Sequence, residues 1–121
     1  GCISLIEIRI PSSVISIGES ICSGCTNLSQ ISLSSSLTSI DNLAFNGCSS
    51  LRQVTIPSSV KSIGNNVFNG CSLLTQITIA HTVESIGNNA FSGCSSLEQI
   101  IFEAPSSLTS IGYNAFNHVH L

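Results

Sequence analysis

The dipeptide Gly-Cys recurs at Gly1-Cys2, Gly24-Cys25, Gly47-Cys48, Gly70-Cys71 and Gly93-Cys94, a step of 23 residues each time. A unit that short cannot bury its own apolar face, so a fixed period of this kind dictates a stack of like units sharing one continuous core. Cutting before each Gly-Cys gives units 1–23, 24–46, 47–69, 70–92 and 93–117, about five repeats in a single array, with a short end at 118–121. The last unit is two residues longer, because Ile111-Gly112 follows Ile86-Gly87 by 25 positions. The extra residues fall between Phe102 and Pro105, and an insertion that leaves both flanks in pattern belongs in a surface loop.

Within a unit, the spacing of Leu51, Val54 and Ile56 ends in the alternation of a half-buried strand. Val60 to Gly64 reads as a second, shorter strand and a corner, closed by a glycine free to take positive φ. Asp41 replaces that glycine once, a change that suits a left-handed corner because Asp visits that region. The following Asn-Asn-Val-Phe places a small and a large apolar residue on one helical turn, too short to be a free helix. The expected architecture is a right-handed solenoid, mainly β with short helical turns. Equivalent residues of successive coils form columns ~4.8 Å apart.

Such columns explain why only 7% of the residues are charged, since like charges stacked at that spacing repel. With three Lys/Arg against six Asp/Glu, a net charge of −3 excludes the basic face that nucleic-acid binding requires. No apolar run approaches the ~18 residues of a membrane span, so this segment is not expected to insert into a membrane. With no Trp and five Phe, the core must be built from Ile, Leu, Val and Cys.

The unit G-C-S-S-L-x-Q-I-x-I-P-S-S-V-x-S-I-G-x-N-A-F-x resembles the BspA-like, or Treponema pallidum-type, leucine-rich repeat over residues 1 to 117. Leu51, Val54, Ile56, Pro57, Val60, Ile63, Gly64, Phe68 and Cys71 carry the pattern in one stretch. Departures are Cys22 in the Phe slot, Asp41 in the Gly slot, Ser34 and Ala80 in the Pro slot, and the ending from His118 to Leu121. The resemblance implies repeat arrays on surface or secreted proteins of mucosal bacteria and protists, used to adhere to host extracellular-matrix proteins or to other cells. It brings no active site and no cofactor, so no catalytic residue is carried over. The array begins in mid-pattern, without the polar cap that keeps such ends soluble. This reads as a segment of a longer protein, or one from which a cap has been removed.

Cys2, Cys25, Cys48, Cys71 and Cys94 share one slot, and the expectation is a column of inward-facing free thiols acting as small apolar residues. Parallel Cβ vectors ~4.8 Å apart exceed the ~3.8 Å usual in a disulfide. Cys22-Ser23-Gly24-Cys25 matches C-x-x-C, but Cys25 belongs to the column and no second pair completes a zinc site. His118-x-His120 lies at a chain end without a neighbouring carboxylate, so no metal site is expected there. His81 reads as a solvated loop residue. For hydrolysis there is no G-x-S-x-G, and the repeated Ser-Ser turn explains the many serines. Asn27-Leu28-Ser29 matches the N-glycosylation pattern, with Asn27 beside a Leu expected to be buried.

Outward residues of the longer strand form three columns: Ile6, Ser29, Arg52, Thr75 and Glu98; Glu7, Gln30, Gln53, Gln76 and Gln99; Arg9, Ser32, Thr55, Thr78 and Ile101. They are expected to line the concave face that solenoids offer to partners. Stacked amides bonding along a ladder account for the Gln column. The repeat gives no reason for Arg9, Arg52, Glu98 and Ile101, which are the candidate protein-binding residues; the loop at Glu103 and Ala104 is the next candidate. The leading expectation is a non-enzymatic protein-protein interaction module of a cell-surface or secreted protein. A structural spacer array and an intracellular scaffold are the alternatives.

Overall fold

The computed structural model describes residues 4–117 and residue 119. Each of five successive coils contributes a longer strand and a two-residue strand. The longer strands are β1 (Glu7–Arg9), β3 (Gln30–Ser32), β5 (Gln53–Thr55), β7 (Gln76–Ile79) and β9 (Gln99–Phe102). The shorter ones are β2 (Ser16–Ile17), β4 (Ser39–Ile40), β6 (Ser62–Ile63), β8 (Ser85–Ile86) and β10 (Ser110–Ile111). All pairing is parallel and in repeat register, as in Gln53↔Gln76↔Gln99 and Ser39↔Ser62↔Ser85. The short strands form one continuous sheet, β2-β4-β6-β8-β10. The long strands form two sheets, β1-β3 and β5-β7-β9.

The core runs along the stack as columns of like residues. Leu28, Leu51, Leu74 and Leu97 are fully buried, as are Phe45, Phe68 and Phe91, and no polar or charged residue is buried among those described. The rings of Phe45, Phe68, Phe91 and Phe116 lie nearly parallel, with centroids 5.7, 5.4 and 5.3 Å apart. Cys22 continues this column in the first coil and is buried in the same way.

The third side of each coil is a turn rather than the expected helical turn; no helix is present among the described residues. Alternate amides there bond to the next coil instead of within their own. Asn66 N–H donates to the Asn88 carbonyl at 2.9 Å, Phe68 to Ala90 at 2.8 Å and Gly70 to Ser92 at 2.8 Å. Asn66, Asn89 and Asn114 hold φ near +57° (58°, 57° and 56°), as do Ser20 and Leu43 at 60° and 64°. One left-handed residue per turn breaks the helical sequence of dihedrals and aims these groups along the stack.

The two glycine slots also exchange roles relative to expectation. Positive φ belongs to the glycine of Gly-Cys, at 76–77° in Gly47, Gly70 and Gly93. The corner glycines Gly64, Gly87 and Gly112 are required by close approach, whereas Gly18 of the first coil is not. A Cβ on Gly87 would lie 2.5 Å from the Asn65 Oδ1 and from the Gly64 carbonyl carbon. That Asn column is a ladder: Asn42 Oδ1 accepts from Asn65 N–H, Asn65 Oδ1 from Asn88 N–H, and Asn88 Oδ1 from Tyr113 N–H, at 2.7–2.8 Å. Asp41 is not left-handed. The first coil has Glu19 in the Asn slot, and the Asp41 carboxylate itself accepts the Asn42 N–H at 2.7 Å.

The cysteine column is buried, but the expectation of free thiols throughout is corrected. Cys22, Cys48, Cys71 and Cys94 are free, whereas Cys25 is disulfide-bonded. The thiols of Cys48, Cys71 and Cys94 each donate to the carbonyl 26 residues upstream, those of Cys22, Phe45 and Phe68, at 3.2–3.4 Å. Because Cys22 is free, the disulfide of Cys25 is not made within the C-x-x-C. Cys2 and His118-x-His120 lie outside the described residues. The two inserted residues sit where expected, in an exposed loop from Glu103 to Ser107 that contains a cis Ala104-Pro105 bond. His81 is exposed beside this loop, its Nδ1 3.9 Å from the Glu103 carboxylate.

Candidate functional site

The long-strand face presents the residues singled out by sequence, but does not gather them. Arg9 lies on the first coil, where its Nε–H donates to the Glu7 carboxylate at 2.9 Å, so the two charges satisfy each other. Glu98 is exposed on the fifth coil, and Ile101, paired in register with Thr78, is half-buried rather than exposed. Arg52 stands on the third coil, exposed; its carbonyl accepts from Thr75, but its guanidinium has no hydrogen-bond or ion-pair partner among the described residues.

Arg52 borders the place where the long-strand sheet opens. β3 and β5 are neighbours, yet they exchange no ladder hydrogen bonds. Elsewhere on this side the coils are joined at both ends of each strand, by Ser29 N–H to Ile6, Thr75 N–H to Arg52 and Glu98 N–H to Thr75, and by Ile10 N–H to Ser32 and Ile56 N–H to Thr78. The corresponding bonds of Arg52 N–H to Ser29 and Leu33 N–H to Thr55 are not made. The second and third coils remain joined on their other two sides, through β4-β6 and through Leu43, Phe45 and Gly47. The opening is a groove of about 830 Å³ lined by Ser29, Gln30, Ile31, Ser32, Leu33, Arg52, Gln53, Thr55, Pro57 and Thr75.

The coil above the groove supplies a local cause. Leu33 stands in a column that is otherwise Ile10, Ile56, Ile79 and Phe102. A γ-branched side chain suits the pleated surface less well than a β-branched one. Ile31 and Leu33 are half-buried, whereas Val54 and Ile56 in the next coil are fully buried.

The amide ladder expected of the Gln column is absent. Gln30, Gln53, Gln76 and Gln99 are in backbone register, but no side-chain amide among them bonds to another. Gln30, Gln53 and Gln99 are exposed and Gln76 is half-buried. Sequence reasoning missed the groove itself; the available signal was Leu33, the exception in its column. A second, shallower groove of about 380 Å³ follows the short strands, lined by the Ser, Ile, Gly and Asn columns from Ser62 to Gly112. Arg52 is the only ionisable side chain lining either groove. The first groove offers mainly hydrogen-bonding surface. Among the described residues no helix is long and apolar enough to cross a membrane.

A family model described as the BspA type leucine rich repeat region matches residues 1–121. Among solved structures, a leucine rich cell surface protein from Faecalibacterium prausnitzii A2-165 is 33% identical with a TM-score of 0.79, covering 87% of this chain and 30% of its own. The leucine rich repeat protein of T. pallidum is 29% identical with a TM-score of 0.64, covering 93% of this chain and 62% of its own. A leucine-rich repeat protein from Bacteroides ovatus, 24% identical with a TM-score of 0.51 over the whole of this chain and 43% of its own, shares the fold. No curated protein matches the chain.

Proposed function

The chain belongs to the BspA-type leucine-rich repeat family, and from that premise we propose that it is a non-enzymatic protein-interaction module of a cell-surface or secreted protein, binding through its long-strand face to extracellular-matrix proteins or other cells. The observation that carries this reading is the face itself: a row of Gln amides that bond to no other side chain, exposed at Gln30, Gln53 and Gln99, interrupted by a groove whose one charged side chain, Arg52, has no partner. Polar groups left unpaired on a rigid sheet are preorganised for a macromolecule, and Arg is enriched at interface hot spots. A surface or secreted location draws support from the cell-surface protein of F. prausnitzii, by its name, and from the disulfide at Cys25, a bond favoured in oxidising compartments.

The spacer reading is favoured by a different observation. On the short-strand face Ser16, Ser39, Ser62, Ser85 and Ser110 stand in unbroken register with no outlier. The test compares the parent with Arg52→Ser, Glu98→Ser, Ile101→Thr combined, substitutions that restore each column's ordinary residue types. Both are displayed multivalently, because repeat arrays gain avidity by repetition. Loss of matrix-protein or cell binding in the variant is the expected result. Undiminished binding transfers the site to the Glu103–Ala104 loop, and no binding by either protein favours the spacer.

A further inference from the structure

We propose that the opening between β3 and β5 is the docking site for an extended, carboxylate-bearing peptide segment of the partner; this rests on the interaction reading above and names the chemistry it uses. Two observations specify the ligand. The first is main-chain. Leu33 N–H and Arg52 N–H, with the carbonyls of Thr55 and Ser29, lack the coil-to-coil bonds that their counterparts make in other coils. β3 and β5 stay within 8 Å of each other, too close for a further strand to enter between them, so an extended peptide lies along the opening and bonds to these groups from outside.

The second observation is charge. Arg52 is the only ionisable group lining the groove, and it is uncompensated, whereas Arg9 on the same face is held by Glu7. A guanidinium presents parallel N–H groups that match a carboxylate, so an Asp, Glu or chain-terminal carboxylate completes it. Gln30 and Gln53 flank the opening on opposite strands, with amides that bond to no other described side chain. They supply the neutral donors and acceptors that a peptide backbone uses. A polyanion is a poor fit, because a single cation cannot neutralise it and the chain carries net charge −3.

The test uses the full chain and an array of acetylated, amidated hexapeptides on an alternating Thr-Val background, in which Asp, Asn, Lys or Ala occupies each position in turn. Asp-containing peptides should be retained about tenfold better than their Asn isosteres, a discrimination typical of losing one charge-assisted contact. Arg52→Gln should abolish that preference and Arg52→Lys should retain part of it. Lys61→Ser, which removes an exposed cation from another side of the coil, should leave it unchanged. Amide shifts on adding the best Asp peptide should centre on Ser29–Leu33 and Arg52–Pro57. The absence of an acidic preference, its survival in Arg52→Gln, or shifts centred elsewhere would overturn the proposal. Matrix-protein and cell binding by the multivalent array is measured alongside. If that binding persists without an acidic preference, the docking proposal falls and the interaction module stands; if both are absent, the interaction reading falls with it.

Discussion

At the scale of single residues, the two glycines of each repeat do different work, and the difference is measurable. Gly87 faces the preceding coil so closely that a Cβ would sit 2.5 Å from backbone and from Asn65, whereas a Cβ on Gly18 would meet nothing within 4 Å. Gly87→Ala should therefore cost about 3 kcal/mol or more, beyond ordinary overpacking. Gly18→Ala should fall within about 0.5 kcal/mol of the parent or gain slightly from a stiffer unfolded chain. Urea midpoints read both, and equal shifts would contradict the close approach. The buried thiols make a second residue-scale prediction. Burial pushes the thiols of Cys48 and Cys94 up to about 12, and that of Cys71 well above its usual value, with neighbouring thiols adding to the rise for Cys48 and Cys71. In the unfolded chain the same groups ionise near 8.5. Between these values the unfolded state binds fewer protons than the folded one, so stability falls as pH rises above about 8.5, at up to about 1.4 kcal/mol per pH unit for each thiol. Urea midpoints should be insensitive to these groups below pH ~8 and should decline through pH ~9–10. Cys71→Ala should shallow that decline. A flat profile to pH ~10 would show that the thiols ionise inside the fold.

At the scale of elements, the inside of each coil was legible and the path of its third side was not. Leu51, Val54, Ile56, Val60, Ile63 and Phe68 all point inward as their spacing requires, because burying apolar surface leaves no other solution to a period of 23. Phe68 is fully buried between Phe45 and Phe91. Phe68→Ala should cost about 3–5 kcal/mol, against under about 1 for Gln53→Ala on the outer face. Phe116→Ala, at the half-buried end of the same stack, should fall between them, as thermal melts will show; comparable shifts for Phe68 and Gln53 would mean that inside and outside are reversed. The turn escaped sequence reasoning because Asn-Asn-Val-Phe satisfies a helical spacing locally. Its amides instead find acceptors in the next coil, a choice that exists only once coils are stacked. The available signal was the recurrent Asn at the second position, a residue suited to left-handed φ.

At the scale of the whole molecule, the array is one continuous sheet on its short-strand side and two sheets on its long-strand side. Hydrogen exchange should report the division. The amides of Leu33 and Arg52 should exchange early, while those of Ile56 and Thr75, at equivalent places in the unbroken sheet and bonded at 2.9 Å, should be protected. Matching protection at the two pairs of sites would show that the opening closes in solution.

The period, the inward columns, the parallel register and the surface position of the inserted loop are properties of the sequence alone, because repetition at a constant interval forces equivalent residues into contact wherever stacking is the only way to bury them. Among the binding candidates, Arg52 was visible as an exception in its column, yet its neighbours in space were not. The tertiary structure decided that Arg9 is neutralised by Glu7, that Ile101 is half-buried, that the Gln amides stay unbonded, and that Arg52 alone borders an opening. Each of these depends on distances between coils, and a sequence period specifies which residues face one another without specifying how closely two successive coils approach.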